Sequence, residues 1–218
     1  TFRFKATSAA ALWDIESRLF FIMNIRHDRC IMRDRRRAMS SKQQDEAAQG
    51  LLKTIAEQKV LRSTRRVAIY FANDGEINPL EMPKLFSARN RKWYLPRLRK
   101  SGKKIMDFAL FTKETKMVAN KFGIPEPSSE NCEYELASKM DIIFIPLVSF
   151  DRNGNRLGMG GGYYDSTLKE SSRGGFSGTM LIGLAHHFQE KHRIRSRSWD
   201  IKLDMIITDR ELICVKPK

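Results

Sequence analysis

The chain predicts an α/β fold: a mostly parallel central sheet with helices on both faces, a Rossmann-like three-layer arrangement. Three observations carry that expectation. Ile142 to Phe150 is an almost unbroken apolar run rich in β-branched residues, the spelling of a strand buried on both faces. Apolar strands of this kind alternate with stretches of helical periodicity. Directly after the run, Asp151, Asn153 and Gly154 supply turn chemistry, and Gly158, Gly160, Gly161 and Gly162 precede a helix expected from Tyr163 to Glu170. Strand, glycine loop and helix in that order make a phosphate cradle, because bare backbone approaches an anion closely and helix-start N–H groups point at it.

Taken in order, the chain supplies the remaining elements. Residues 1–24 read as an N-terminal extension with few constraints, and 25–218 as a single α/β domain. Arg26 to Arg37 has helical spelling and is broken at Met39-Ser40-Ser41. Ser41 followed by Gln44 spells a capping box, and Ala48, Leu51, Leu52, Ile55 and Ala56 recur at helical spacing behind it. Val67 to Phe71 predicts a strand, Asn73-Asp74-Gly75 a turn, and Glu76 falls just beyond that strand's carboxyl end. Pro79 is placed to start a helix reaching Asn90. Trp93 to Leu95 predicts a strand closed by Pro96, and Ile105 to Phe111 an antiparallel or edge strand. Asn120 to Pro127 reads as a proline-stiffened loop carrying Phe122. Met180 to Ala185, Met205 to Thr208 and Ile213 to Val215 complete the sheet, with a basic, irregular stretch from Lys191 to Trp199. Ligands of such folds sit beyond the carboxyl ends of the strands, where Glu76, Arg156 with the glycine loop, and His186 to Gln189 all fall.

Composition narrows the function. No apolar run approaches the roughly 18 residues of a membrane span. Cys30, Cys132 and Cys214 are too dispersed for a CxxC redox or zinc site and suggest a reducing compartment, the cytoplasm by default. The net charge of +15 suits either nucleic acid or a small polyanionic substrate. No helix-turn-helix, zinc-finger, RRM or KH spelling accompanies it, so nucleic acid is the weaker expectation. His186 and His187 are adjacent and point to opposite sides of an extended chain, which disfavours joint metal binding. The glycine loop lacks the Gly-Lys-Ser/Thr of a Walker loop and has no glycine at 163 to complete GxGxxG.

Read whole, RLGMGGGYYD from Arg156 to Asp165 resembles the RLGxGxGYYD signature of the 5-formyltetrahydrofolate cyclo-ligases, also called 5,10-methenyltetrahydrofolate synthetases. The resemblance runs from about Arg29 to Thr208 and includes Arg29 with MRDRRRAMS, NDGEIN around Glu76, FGIPEP around Phe122, and GLAHHFQ followed by WDIKLDMIIT with Gln189, Asp200 and Asp204. It implies an ATP- and magnesium-dependent monomeric ligase. The formyl oxygen of 5-formyltetrahydrofolate is phosphorylated, N10 attacks the activated carbon, and ADP and phosphate leave. It further implies ATP contacts from Arg26, Arg29, Arg156 and the loop Gly158, Met159, Gly160, Gly161, Gly162, Tyr163 and Tyr164. Substrate contacts would come from Glu76, Phe122 and Tyr163, metal ligation from Asp165 and Asp200, and catalysis from Arg156 and Tyr163. Ile25, Gly161 and Arg195 depart from that pattern. A basic binding protein on a retained enzyme scaffold is the alternative; a sugar-phosphate isomerase or CoA-transferase relative has no motif of its own here.

Overall fold

The computed structural model describes residues 25–87, 90–130, 132–172, 178–197 and 199–215. The expected N-terminal extension lies outside them. Eight strands form one sheet in the order β12-β11-β10-β7-β1-β2-β3-β6. Its parallel centre comprises β11 (Met205–Thr208), β10 (Met180–Ala185), β7 (Ile142–Pro146), β1 (Arg66–Ala68) and β2 (Lys92–Leu98). Antiparallel strands close both margins: β12 (Leu212–Cys214) on one side, β3 (Met106–Phe111) and β6 (Tyr134–Glu135) on the other.

Period-two alternation splits the central strands between two cores. Val67, Ile69, Ile142, Phe144, Ile182, Leu184 and Ile207 meet helix α2 (Ser41–Glu57) through Leu51, Leu52 and Ile55 on one face. Ala68, Ile143, Ile145, Leu181, Ala185 and Ile206 meet Leu168 of α4 (Tyr163–Ser172) on the other. The three-layer α/β expectation holds. Helix α1, residues 25–37, leans across the carboxyl ends of β1 and β7, where its Arg36 reaches the Leu147 carbonyl and Asp74.

Local expectations fail where side chains take over backbone partners. The capping box is one residue earlier than expected: Ser40 accepts from the Gln43 N–H, and Gln43 reciprocates. Gln44 instead donates to the carbonyls of Arg36 and Gly75, binding α1, α2 and the 73–76 turn together. The run from Ile142 to Phe150 is not one strand. Leu147 and Val148 give their carbonyls to Gln189 Nε2 (2.9 and 2.8 Å), and the chain turns away into β8 (Ser149–Phe150), paired with β9 (Arg156–Leu157). The helix expected from Pro79 is only the single turn α3 (Met82–Leu85).

Pro96 does not close β2. The Lys92 N–H donates toward β1, to the Arg65 carbonyl, and the Arg99 N–H toward β3, to Ile105. By alternation the missing N–H of Pro96 faces the β1 side, past the last residue of β1, where no ladder bond is lost. Glu126 accepts the next N–H on that side, from Leu98, at 3.1 Å. The segment around Phe122 is likewise more regular than a loop: β4 (Met117–Ala119) and β5 (Pro125–Pro127) form a hairpin with Phe122 near its tip.

Candidate functional site

At the carboxyl ends of the parallel strands lies a cleft of about 1290 Å³. Arg26, Arg29, Glu76, Phe122, Arg156, Gly158 through Asp165, and Asp200 line it, but His186 to Gln189 do not: His186 and Gln189 are buried and bond the Gly75, Leu147 and Val148 carbonyls instead. Ile25, Gly161 and Arg195, the departures, line it too.

One wall is the glycine loop. Gly160 and Gly162 have φ of +94° and +73°, a region costly for any residue with a Cβ. Gly162 immediately precedes α4, its carbonyl accepting the first helical bond from the Ser166 N–H at 3.0 Å. The N–H groups that follow belong to a first helical turn and have no intrahelical acceptor. Arg29 closes over the loop: Nε donates to the Gly158 carbonyl at 2.8 Å, and a Cβ on Gly160 would lie 3.5 Å from the Arg29 Cζ. Burial lowers the pKa of this guanidinium, and repulsion from Arg197 and Arg26 lowers it further. Cations crowding one another beside open amides make a site for an anion.

Arg156 is not placed as an open fork. Its guanidinium donates to Asp165 Oδ1 (2.7 Å) and to the Ile201 carbonyl, and only 6% of its side chain is exposed. It therefore orients Asp165. Asp165 Oδ1 also accepts the Ile201 N–H at 3.3 Å, and Asp200 Oδ2 accepts the Arg197 N–H at 2.7 Å. Both carboxylates face the same cleft, and two of them suit a hard divalent cation completed by phosphate oxygens and water. The one three-residue cluster of ligand type among the described residues is elsewhere, His187 with Glu190 and Glu211. Arg152 already bridges both of those carboxylates, so that group reads as an ion-pair network.

Beside the loop the lining turns aromatic and acidic. Phe122, 55% exposed, stands edge-on to Tyr163 with ring centroids 5.8 Å apart, and Lys121 Nζ lies near both rings. Burial raises the pKa of the Tyr164 hydroxyl, so it stays neutral. The Glu76 carboxyl is enclosed, and burial raises its pKa to about 7 against the pull of Arg36.

Sequence reasoning missed several residues that build these walls. Arg36, wholly buried, was one of a run of arginines. Its spacing from buried Met32, one helical turn, was the available signal. Asp74 gathers Arg33, Arg36 and Arg37, and Asp151 accepts from Asn153, Asn155 and Ile194 to shape the turn before the loop. Both aspartates stand in turns the sequence predicts, but no spacing rule gives either one its distant partners.

Fold and site together define an α/β protein with a glycine-loop cleft built to attract anions. The family model for the 5-formyltetrahydrofolate cyclo-ligases matches residues 23–209. The chain is 34% identical over 165 residues to the 5-formyltetrahydrofolate cyclo-ligase of Haemophilus influenzae, covering 76% of this chain and 87% of that protein. It is 30% identical over 178 residues to that of Escherichia coli K12, covering 82% and 96%. The chain belongs to the 5-formyltetrahydrofolate cyclo-ligase family and is an enzyme. Its fold is shared with the 5,10-methenyltetrahydrofolate synthetases of Aquifex aeolicus (TM-score 0.74, 22% identity, 89% of this chain and 94% of that one) and Mycoplasma pneumoniae (0.65, 22%, 85% and 99%).

Proposed function

We propose that the enzyme converts 5-formyltetrahydrofolate to 5,10-methenyltetrahydrofolate at the expense of ATP. One observation carries the reading: Arg29 and the glycine loop make an anion grip in the same cleft that is lined by the Glu76 carboxyl and the exposed Phe122 ring. The formyl oxygen attacks the γ-phosphorus and ADP departs with the electrons of the broken P–O bond. The N10 lone pair then attacks the formyl carbon, phosphate leaves with the C–O electrons, and the N10 proton is lost.

In this reading the amides from Gly158 to Tyr164, with Arg26 and Arg29, hold the triphosphate and screen its charge. Arg156 keeps Asp165 aimed into the cleft, and Asp165 with Asp200 would hold a magnesium ion. When bound, that ion neutralises phosphate charge and fixes the oxygens around the transferring group. Glu76 accepts hydrogen bonds from the pterin, and Phe122 and Tyr163 flank the ring system. The protein's contribution is alignment and charge neutralisation.

The test is spectrophotometric: ATP-dependent appearance of the methenyl product from 5-formyltetrahydrofolate. Arg29→Ala and Asp165→Asn should each lower kcat/KM by about 100-fold, the scale of losing one charged contact to a developing charge. Undiminished turnover in both would remove the site assignment; absence of any ATP-dependent product in the unaltered enzyme would remove the reaction.

A further inference from the structure

The turn carrying Glu76 is held far more firmly than a surface loop requires. Asp74 accepts from Arg33, Arg36 and Arg37, three arginines on one side of α1. The Gly75 carbonyl accepts from Gln44 Nε2 (3.3 Å) and from the His186 ring (3.0 Å), and the Ile77 carbonyl from the Tyr70 hydroxyl (2.7 Å). A Cβ on Gly75 would come within 2.9 Å of the Arg36 carbonyl, so helix and turn touch directly.

Among these partners Arg36 is singular. It is fully enclosed, and its Nε has no hydrogen-bond partner. Nη1 donates to the Leu147 carbonyl at 3.1 Å and stands 3.9 Å from Glu76 Oε1, while Nη2 donates to Asp74 at 2.9 Å. Burying a guanidinium with a donor unmet is costly, and an apolar side chain of that volume would serve packing better. Packing alone therefore does not account for it; its bonds to Asp74, the Leu147 carbonyl and Met159 Sδ fix the guanidinium, and so fixed it stands beside Glu76.

The geometry points to Arg36 as a positioning residue of the reaction: from inside the protein, 3.9 Å from Glu76 Oε1, it favours the ionised carboxylate that receives the pterin. This rests on the assignment of Glu76 to the folate made above. The groups facing Glu76 are Arg36 and Arg33 from α1, Asp74 from its own turn, Tyr70 after β1 and Tyr164 from α4. Burial keeps both tyrosines neutral and lowers the pKa of His186, which touches the same turn. Enclosure drives the Glu76 pKa up to about 7; Arg36 is the largest opposing influence, the Asn73 N–H that donates to Glu76 Oε2 at 3.2 Å comes next, Arg33 assists, and Asp74 works against them. An ionised carboxylate accepts both N–H groups on the 2-amino-4-oxo edge of a pterin, whereas a protonated one must give up an acceptor position.

The experiment measures KM for 5-formyltetrahydrofolate, with kcat, from about pH 5.5 to about pH 9 in the full chain and two variants, a window set to bracket a carboxyl shifted by burial. In the unaltered enzyme KM should fall roughly ten-fold as Glu76 ionises, the scale of one charge-assisted hydrogen bond. Arg36→Met should move that inflection upward by about one pH unit, and Asp74→Asn should move it downward. General loosening of the turn would not give opposite signs. An inflection that stays put in both variants, or moves the same way in both, overturns the proposal. Should Arg36→Met not fold, the direction of the Asp74→Asn shift decides. Carbon-13 NMR titration of the Glu76 carboxyl reads the same shifts without turnover. An inactive unaltered enzyme would thus refute the reaction, while the titration still judges Arg36.

Discussion

Two carboxyls two residues apart, Asp74 and Glu76, respond to pH with opposite signs. Burial works to raise the Asp74 pKa, but hydrogen bonds from Arg33, Arg37 and Arg36 outweigh it and hold the carboxyl below its usual value. Its contribution to stability is present above the ordinary aspartate pKa and is lost as pH falls through the depressed one. Glu76 is raised from 4.5 to about 7, so its contribution is complete below 4.5 and is lost as pH climbs to 7. Glu76→Gln should therefore change little at acid pH and gain up to ~3 kcal/mol relative to the unaltered protein by about pH 8. Urea unfolding of both proteins at the two pH values checks it, and parallel pH dependences would refute it. That Glu76, Arg29 and Asp165 line one cleft was legible in the sequence, because the motifs around them fix their register. Arg36 was less so: one-turn spacing from Met32 points it to the same side, but which side of α1 turns inward depends on how the helix lies across the sheet.

Among the elements, the strand–loop–helix unit was the most legible. Its glycines and its first helical residue fall where the spelling puts them, with α4 starting at Tyr163. The strand ahead of it was read too long, because the carbonyls of Leu147 and Val148 are met by a side chain forty residues downstream, which no local pattern reveals. The hairpin β4–β5 was hidden for a related reason: prolines at 125 and 127 spell a loop, yet the pair keeps its register through Glu126 opposite Val118. Gly162→Ala tests the unit directly. A methyl at φ +73° should cost about 1 kcal/mol in thermal or urea unfolding. The KM for ATP should rise well beyond what that loss of stability explains, because the first-turn amides shift with the cap. A change in stability with the KM for ATP untouched would argue against the amides as the triphosphate's seat.

For the whole molecule, the fold class was readable from alternation alone, since five parallel strands buried on both faces demand a covering layer on each. Strand order was not, because nothing local tells β7 to lie between β10 and β1. The net charge of +15 acts at this scale as well. Arg26, Arg29, Lys104, Lys191 and Arg193 all face the cleft, so the field should draw a polyanion inward. Raising ionic strength from about 0.01 M to about 0.15 M should lower kcat/KM for ATP roughly ten-fold with kcat nearly constant. A salt-independent kcat/KM would assign that charge to the surface at large.

The rim where β2 outruns β1 has one more consequence. A pleated margin left half-paired normally invites a foreign chain to zip onto it. Here Pro96 has no hydrogen to offer, and the next donor, on Leu98, is already capped by Glu126. At the mouth of the cleft these two positions therefore present no free donor to a strand laid along that edge.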